Sequence, residues 1–498
     1  MASTNRMRGT GLPRGVWLAA AGVLAVLLVA AAGYGFHRDE LYFQEAGRHP
    51  AFGYPDQPPV VPLLAAAADA LSGGSIVLFR LLPAVATALT VLVGALTSRE
   101  LGGSRADVVW TAVATALATA VVGVGHLFST TTFDLTLTSA CVLLLLRAVA
   151  APDQLRRWVA LGLVGGLALE VKTLPGTVLL CCGAGLLIAG PREVLRRRGP
   201  WLAAVLALAL ALPNLLWQQA NGWPQLALAK AIAAGSSGTS VERWLVTPLQ
   251  LELTGPVLAV PLVAGVVALV RDRRVRWLGV AYLVLLAVVT FTGGKPYYTI
   301  GLVPALLAAG VPPVRHWLAR AAWRRVVAWV LVAVHVVITA VLVLPVVPAS
   351  ALASTPVTDI YYDAGETVGW GAFTATVERA FADVPPDHRA GLVVLTENYG
   401  EAGALDRARR QGADLPPVYS GHNAYGQWGP PPGTGPLLLV GYRTDGVAAQ
   451  LFTGCRLIAT VDNRLGVDND EQGATAQLCD SPLGGSWAAR WPQIRHLG

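Results

Sequence analysis

Long apolar runs separated by short polar segments dominate the chain up to residue 351. The run "GVWLAAAGVLAVLLVAAAGY" at 15–34 reaches the roughly 20 residues that a helix needs to cross a ~30 Å bilayer core. Because a removable signal peptide has a shorter apolar region, we interpret this run as a retained anchor. Similar runs predict about eleven membrane spans, near residues 15–34, 76–98, 107–126, 134–151, 157–171, 174–190, 200–217, 247–270, 277–292, 298–312 and 326–347. The pair 157–171 and 174–190 is short and interrupted by Pro and Gly, so it could instead be a re-entrant hairpin.

Arginines cluster in alternate connections between these runs. The clusters are Arg6, Arg8 and Arg14; Arg99 and Arg105; Arg147, Arg156 and Arg157; Arg192, Arg196, Arg197 and Arg198; Arg271, Arg273, Arg274 and Arg276; and Arg315, Arg320, Arg324 and Arg325. The remaining connections are poor in Lys and Arg, which is the positive-inside pattern and predicts a cytoplasmic N-terminus. The formal net charge of +7 is therefore a signal of topology, not of a nucleic-acid partner.

The character of the chain changes after residue 351. Residues 352–498 are rich in Asp, Glu, Asn, Gly and Pro and contain no run of membrane length. The stretch 391–412 predicts a buried strand, a polar turn and a helix starting near Glu401, and 436–442 predicts another strand. We therefore divide the chain into a transmembrane domain, 1–351, and a small α/β domain, 352–498. An odd number of spans puts the second domain on the extracytoplasmic side.

The five cysteines separate by compartment. Cys141, Cys181 and Cys182 lie within predicted spans, where they serve most simply as packing residues. Cys455 and Cys479 both fall in the extracytoplasmic domain, where an oxidising environment allows a disulfide, and we predict that they form one. The chain has no CxxC, HExxH or Walker motif, so no strong metal or nucleotide signature is present.

One polar stretch behind the first span is unusually rich in charge. "YGFHRDELYFQEAGRHPAFGYPDQPP" (34–59) holds six acidic or basic residues in a chain of which only 13% is charged. Its segment "DELYFQEAGRH" predicts a short interfacial helix, and "GYPDQPPVVPLL" turns the chain back towards the membrane. Isolated boundary charges usually face water or lipid headgroups, but a helix followed by a rigid proline turn holds carboxylates at a fixed depth. This arrangement is typical of a functional site.

The stretch also resembles a known family. The acidic pair after the first span, the aromatic first outer loop, "FSTTTFDLTLT" (128–138), "LPNLLWQQANGWP" (212–224) and "GGKPYYTIGLVPALLAAG" (293–310) are similar to GT-C glycosyltransferases. The closest resemblance is to glycosyltransferase family 39, the branch of bacterial protein O-mannosyltransferase-like and lipid A aminoarabinose-transferase-like enzymes. It covers most of residues 15–347 and implies a GT-C type transmembrane fold.

The resemblance implies a reaction. A monosaccharide moves from a polyprenyl-phosphate carrier to an acceptor at the outer face of the cytoplasmic membrane, with inversion at the anomeric carbon. Because the leaving group is a weakly basic phosphate, the reaction needs a carboxylate to take the acceptor proton and cations to hold the phosphate. Asp39 matches the base position of the family, and Glu40 would orient Asp39 or bind sugar hydroxyls. The acceptor, whether protein, polysaccharide or lipid, stays open.

Other candidates carry alternatives. Asp134 resembles a second acidic position of the family, but an acid in the first turn of a helix is also favoured by the helix dipole. Lys172 and Lys295, two of very few lysines, are candidate phosphate ligands, with snorkelling as the alternative. Candidates for sugar or acceptor binding are Arg38, Tyr54, Asp56, Tyr297 and Tyr298, of which the last two could instead belong to an interfacial aromatic belt. His126 is expected to pack or cap. The family resemblance allows a divalent metal, yet no complete ligand set is identifiable, so no cofactor is predicted with certainty.

Two functions of other classes compete with the transferase. A secondary transporter or lipid-carrier flippase would place ionisable groups near the bilayer midplane on broken helices, ideally in two related halves. Here the charged groups lie at the ends of spans on one face, and no inverted repeat is evident. A receptor-like or assembly role for the extracytoplasmic domain would leave the membrane domain without catalysis. The pattern of the sequence favours the transferase.

Overall fold

The computed structural model describes residues 11–235, 239–442 and 450–497. Arg6 and Arg8 of the first arginine cluster lie outside these ranges. Within the described chain, the part up to Val343 is helical. Its α-helices are α1 (Arg14–Ala30), α2 (Arg38–Arg48), α3 (Val60–Ser72), α4 (Ile76–Phe79), α5 (Leu81–Glu100), α6 (Arg105–Leu117), α7 (Thr119–His126), α8 (Thr130–Ala150), α9 (Leu155–Leu169), α10 (Leu174–Ala189), α11 (Arg198–Ala220), α12 (Pro224–Ala233), α13 (Val246–Thr254), α14 (Ala259–Arg271), α15 (Arg276–Thr292), α16 (Val303–Ala319) and α17 (Ala322–Val343). Short 3₁₀ helices cover Arg192–Arg196, Arg243–Leu245 and Pro296–Leu302.

Each of the eleven stretches predicted to span the membrane overlaps one of these helices. Five helical segments of the described chain are long and apolar enough to cross a bilayer, and up to seven if two bent pairs each count as one span. The bent pairs are α6 with α7, at 55°, and the segment Arg243–Thr254 with α14, at 112°. Helices α1, α10 and α15 are apolar but shorter. The chain is therefore a multi-pass membrane protein, and the count of eleven stays a prediction.

Small residues allow neighbouring membrane helices to approach closely. A Cβ atom added to Gly265 of α14 would clash with the carbonyl oxygen of Leu306, and one added to Gly310 of α16 would clash with that of Pro261. Such glycine contacts are the usual way in which helices associate where lipid removes the hydrophobic driving force. Helix α17, in contrast, is only 17% buried over its most apolar window, as expected of a helix that faces lipid.

The charged stretch behind α1 forms the predicted short helix, α2. His37 precedes it and accepts a hydrogen bond from the Asp39 amide, while the Glu40 side chain accepts one from the His37 amide. This reciprocal capping satisfies amide groups that a helix start otherwise leaves unpaired. Because His37 and Glu40, on either side of Asp39, make the cap, the cap holds the backbone at Asp39 in place.

The C-terminal part of the described chain has mixed α/β structure. Its helices are α18 (Ala349–Leu352), α19 (Val357–Ile360), α20 (Tyr362–Gly365), α21 (Trp370–Ala382), α22 (Tyr399–Arg410), α23 (Asn423–Trp428) and α24 (Trp487–Ile494), and a 3₁₀ helix covers Pro386–His388. Its strands are β1 (Val393–Thr396), β2 (Val418–Ser420), β3 (Leu437–Val440), β4 (Phe452–Thr453), β5 (Arg456–Thr460), β6 (Thr475–Cys479) and β7 (Ser481–Pro482). The predicted strand, turn and helix within 391–412 are confirmed as β1 and α22, although the helix begins at Tyr399 rather than near Glu401, because Asn398 caps it.

These strands form a mixed sheet of five, in the order β2-β1-β3-β6-β5, and a separate pair, β4-β7. Strands β1, β2 and β3 are parallel, and β6 is antiparallel to both β3 and β5. The central strands β1 and β3 are buried throughout. Cys479 at the end of β6 forms a disulfide with Cys455, at an S–S distance of 2.07 Å.

The sheet domain is packed onto the first loop of the membrane domain. Leu41, Tyr42 and Phe43 of α2 share one apolar core with Val394 and Leu438 of the sheet. Helix α22 lies directly on α2, so that a Cβ atom added to Gly403 would lie 2.8 Å from the Leu41 carbonyl carbon. Arg407 donates hydrogen bonds to Gln44 at 2.8 Å and to Asp69 at 2.9 Å. The C-terminal part therefore contributes directly to the region around Asp39.

Candidate active site

A cavity of about 1480 Å³ lies where the membrane helices meet the sheet domain. Seven of the residues singled out in the sequence line it: Arg38, Asp39, Asp56, Lys172, Lys295, Tyr297 and Tyr298. They come from four separate segments of the chain, all of which the sequence places at the ends of apolar runs. The cavity continues between α7 and α17, where its walls include Ala120, Val124, Leu342 and Val343. The cavity therefore has a charged end and, between α7 and α17, a largely apolar arm that Thr119, His335 and Thr339 also line.

Asp39 stands at the charged end. The hydroxyl of Tyr399, at the start of α22, donates a hydrogen bond of 2.8 Å to Asp39 Oδ1. The backbone of Asp39 is held by the cap from His37, whose Nε2 lies 3.4 Å from Asp363. Burial alone would raise the pKa of Asp363, but the hydrogen bond and charge of His37 outweigh burial and lower it. The two C-terminal residues in these contacts, Tyr399 and Asp363, were not predicted from the sequence.

Arg38 binds the sheet domain. It donates to Glu366 at 3.1 Å and to the Tyr362 hydroxyl at 2.9 Å, and it also forms an ion pair with Asp470. Its guanidinium carbon lies 5.0 Å from the centre of the Tyr399 ring. Arg38 therefore joins the first helix of the outer loop to three different segments of the C-terminal part.

Two of the four acidic candidates, Glu40 and Asp134, are buried and do not line the cavity. Glu40 is fully buried and accepts hydrogen bonds from Arg80 at 2.9 and 2.7 Å, from the His37 amide at 2.9 Å and from the Phe128 amide at 2.8 Å. Arg80 also donates to the carbonyl oxygens of Ala31 and Gly35, which ties α1 to the start of α2. Glu40 therefore holds the backbone next to Asp39, with its own oxygens occupied.

Asp134 lies in α8 and accepts a hydrogen bond of 2.8 Å from Thr138. The expected helix start at 134 was wrong. Because the Ser129 side chain caps the helix, α8 begins at Thr130, and Asp134 lies beyond the first turn. Its side chain is 2% exposed, so the helix-dipole explanation for an exposed acid at a helix start does not apply here.

The two lysines converge on one aromatic ring. Lys172 Nζ lies 5.5 Å from the centre of the Tyr297 ring and 5.4 Å from that of Tyr298, and Lys295 Nζ lies 5.8 Å from that of Tyr297. Lys172 also donates to the Thr131 hydroxyl at 3.0 Å. Burial and the charge of Lys172 lower the pKa of Lys295 to about 8. The two lysines are 123 positions apart in the chain, yet they lie at the same ring. Together they form a centre of positive charge that can bind an anion.

The remaining two candidates, Tyr54 and Asp56, belong to the proline turn that follows α2. Asp56 accepts a hydrogen bond of 2.8 Å from the Tyr42 hydroxyl, and burial raises its pKa to about 7. Tyr54 does not line the cavity. Its hydroxyl group instead donates to the carbonyl oxygens of Ala46 and His49, at 2.8 and 3.1 Å. Tyr54 therefore closes the turn, while Asp56 faces the cavity.

Within the described ranges, no group of three or more His, Cys, Asp or Glu side chains is arranged to hold a metal ion. His126 is buried at the end of α7, with its Nε2 3.5 Å from Arg80. His126 is thus packed beside a cation.

The C-terminal part supplies one wall of the cavity that the sequence did not predict. Tyr361, Asp363, Tyr399, His422 and His496 all line it. In a polar α/β domain such residues are ordinary, so nothing in the sequence singles them out. Only the "YYD" run at 361–363, a cluster of aromatics and acid just after the last span, could have signalled a contact with the membrane face.

The chain is similar to known proteins in sequence over one segment and in fold over most of its length. Residues 56–217 match the family model "Dolichyl-phosphate-mannose-protein mannosyltransferase". The crystal structures of ArnT from Cupriavidus metallidurans align over 93% of this chain and 97% of theirs, at 15% identity, with TM-scores of 0.59 in the apo state and 0.60 bound to undecaprenyl phosphate. The archaeal oligosaccharyltransferase AglB from Archaeoglobus fulgidus aligns over 78% of this chain and 63% of its own, at 12% identity and a TM-score of 0.47. No curated protein sequence matches the chain.

Proposed function

We propose that the chain is a membrane glycosyltransferase of the GT-C superfamily, on its protein mannosyltransferase-like and ArnT-like branch. The family model that matches residues 56–217 and the fold shared with ArnT support this proposal. The donor of the enzyme is a polyprenyl-phosphate-linked sugar, and its acceptor carries a hydroxyl group. The observation that carries the proposal is the convergence of Asp39, Lys172 and Lys295 on one cavity that has an apolar arm. A lipid phosphate needs this combination of a cationic end and an apolar path.

Asp39 is the general base. The acceptor hydroxyl attacks the anomeric carbon of the sugar, and its proton passes to the Asp39 carboxylate as the new C–O bond forms. The bond between the anomeric carbon and the phosphate oxygen breaks on the opposite side, so the configuration inverts. Tyr399 holds one carboxylate oxygen at 2.8 Å, and the second oxygen takes the proton. Because Glu40 is locked by Arg80, it positions Asp39 through the α2 backbone.

Lys172 and Lys295 bind the phosphate. Negative charge grows on the phosphate as the sugar leaves, so fixed cations stabilise the transition state more than the ground state. The leaving phosphate is a weak base and needs no proton from a general acid. The Tyr297 ring lies within 6 Å of both ammonium groups and keeps them at a fixed separation. The prenyl chain lies along the apolar arm between α7 and α17.

The site lies at the extracytoplasmic face of the cytoplasmic membrane. The arginine clusters put the N-terminus in the cytoplasm, and an odd number of spans then carries the C-terminal part to the opposite side. The Cys455–Cys479 disulfide supports this side, since disulfides persist in oxidising compartments. Arg38, Asp56, Tyr297 and Tyr298 line the same cavity and are the candidates for sugar contacts. Tyr54 acts through the turn that holds Asp56.

The proposal is tested with purified protein in nanodiscs and radiolabelled polyprenyl-phosphate sugar extracted from the native membranes. We expect release of the sugar to water, or its transfer to envelope material from a strain that lacks the gene, at a rate proportional to protein. A matched preparation of the Asp39→Asn variant controls for contaminating transferases. Movement of the intact lipid-linked sugar across vesicles, with neither release nor transfer, would instead support a flippase.

A further inference from the structure

His422 stands on the cavity wall that the sheet domain provides. It follows β2 and precedes α23, and it lines the same cavity as Asp39. The residue is 7% exposed, yet neither Nδ1 nor Nε2 has a hydrogen-bond partner among the residues that the structure describes. Leaving a buried polar atom without a partner costs free energy, so such a group at a cavity wall signals a ligand.

The imidazole of His422 packs against two other rings. Its centre lies 4.6 Å from that of Tyr399 and 4.5 Å from that of His496. The segment is fixed further, because the amide of Asn423 donates to the carbonyl oxygen of His496 at 3.1 Å. These contacts hold the ring at the cavity wall, while neither ring nitrogen is hydrogen-bonded within the part of the chain that the structure describes.

The electrostatic surroundings keep this ring neutral. Burial, with the neighbouring His496 and the charge of Arg38, lowers the pKa of His422 well below its usual value. A neutral imidazole carries one N–H donor and one nitrogen acceptor. Adjacent hydroxyl groups of a sugar ring offer the complementary pair, since each hydroxyl both donates and accepts. Within the described residues no set of three metal-ligating side chains forms around this ring or elsewhere.

We propose that the edge of His422 is a subsite for sugar hydroxyls, which determines carbohydrate specificity next to Asp39. Tyr399 connects the two residues, because its ring packs against His422 while its hydroxyl binds Asp39. The inference rests on the proposed function and deepens it: a hydroxyl held by His422 comes either from the sugar of the donor or from a glycan acceptor.

The test measures binding, so it does not depend on turnover. Dissociation constants are compared for three probes: polyprenyl phosphate alone, the same lipid carrying its sugar, and oligosaccharides from envelope polysaccharide of a strain that lacks the gene. The variants are His422→Phe, which removes both nitrogens, and His422→Gln, which retains a donor and an acceptor. His388→Gln is the control, since His388 lies on the same domain, outside the cavity lining, and its side chain is 41% exposed.

We expect His422→Phe to leave the affinity for bare polyprenyl phosphate unchanged. It should weaken one of the two sugar probes by about tenfold or more, the loss that follows when a buried hydrogen-bonding group is removed. Weaker binding of the sugar-bearing lipid assigns the subsite to the donor, and weaker binding of the oligosaccharide assigns it to the acceptor. His422→Gln should recover part of the loss.

Unchanged affinity of His422→Phe for both sugar probes overturns the subsite, whether or not the wild type is active. A wild-type protein that binds the probes but neither releases nor transfers sugar contradicts the proposed function instead. The two failures are therefore distinguishable.

Discussion

The hydroxyl of Tyr399 lies 2.8 Å from Oδ1 of Asp39, a residue 360 positions earlier in the chain. One partner belongs to the first loop after α1 and the other to the first turn of α22 in the sheet domain. The proposed base is thus held jointly by both parts of the protein. An isolated membrane domain would lack this contact, and the sheet domain is part of the site.

The phosphate site predicts that both cavity lysines are needed for lipid binding. Lys172→Met and Lys295→Met keep an apolar stem but remove the charge. Each should lower the affinity for polyprenyl phosphate about 10- to 100-fold, because a hydrogen bond to a charged group contributes about 1.5–3 kcal/mol. Lys230→Met, in the exposed part of α12, is the matched control and should bind normally. Wild-type affinity in both cavity variants would remove the lysines from the site.

The lowered pKa of Lys295 predicts a pH dependence. The group is charged below its pKa of about 8 and neutral above it, so attraction for the phosphate decreases as the pH rises through that value. Donor affinity measured from pH 6 to 10 should therefore fall above about pH 8. In Lys295→Arg, whose guanidinium stays charged over this range, the fall should move to higher pH. An identical profile in the two proteins would contradict the role of Lys295.

The buried pair of Glu40 and Arg80 predicts a large effect on stability. Arg80→Met leaves the carboxylate of Glu40 buried without its cation, at a cost of about 3–5 kcal/mol. Combining it with Glu40→Met should restore much of that loss, since no charge is then left buried. Arg147→Met, which breaks the more exposed pair with Glu100, should cost about 0–1 kcal/mol. Unfolding in mixed detergent measures all four proteins, and equal losses for Arg80→Met and Arg147→Met would refute the assignment.

The contact between α2 and α22 predicts that a single methyl group disturbs the site. In Gly403→Ala the new Cβ would meet the backbone of Leu41 at 2.8–2.9 Å, so α22 must move, and Tyr399 with it. We expect a loss of about 1–3 kcal/mol in stability and slower sugar transfer, with affinity for bare polyprenyl phosphate retained. Gly371→Ala is the control, because Gly371 is an exposed residue of α21 and a Cβ atom added there would have no atom within 4 Å. Normal transfer by Gly403→Ala would show that this contact does not support the site.

Much of the membrane part could be predicted, because helices that cross a bilayer need long runs of apolar residues, and such runs are visible in the sequence. Apolar runs located the helices, and charged residues at their ends stood out against a chain with few charges, which is how Asp39, Lys172 and Lys295 were found. Arg80 was missed, although an arginine inside a predicted span, 76–98, normally has a buried partner and could have been recognised.

The rest of the site could not be read in the same way. Asp363, Tyr399 and His422 come from a polar domain where their residue types are unremarkable. The roles of Asp363 and Tyr399 arise only from contacts with residues hundreds of positions away. Sequence patterns report local periodicity, whereas the docking of α22 on α2 is decided by the fit of two surfaces. The role of Glu40 was also hidden, because a buried structural carboxylate and one that binds substrate look alike in a sequence.

The central claim is that Asp39 takes the proton of the acceptor. Asp39→Asn preserves the size of the side chain and can keep the contact with Tyr399, but the amide cannot accept that proton. The variant must first be shown to insert and to melt like the wild type, and Asp134→Asn is measured beside it. The decisive measurement is the rate of sugar transfer at saturating polyprenyl-phosphate sugar. We predict that Asp39→Asn loses at least about 10²-fold in this rate, in the range of general-base contributions, while donor affinity changes much less. Transfer at a near-normal rate by Asp39→Asn would contradict the account, and loss of transfer in Asp134→Asn alone would move the base to Asp134.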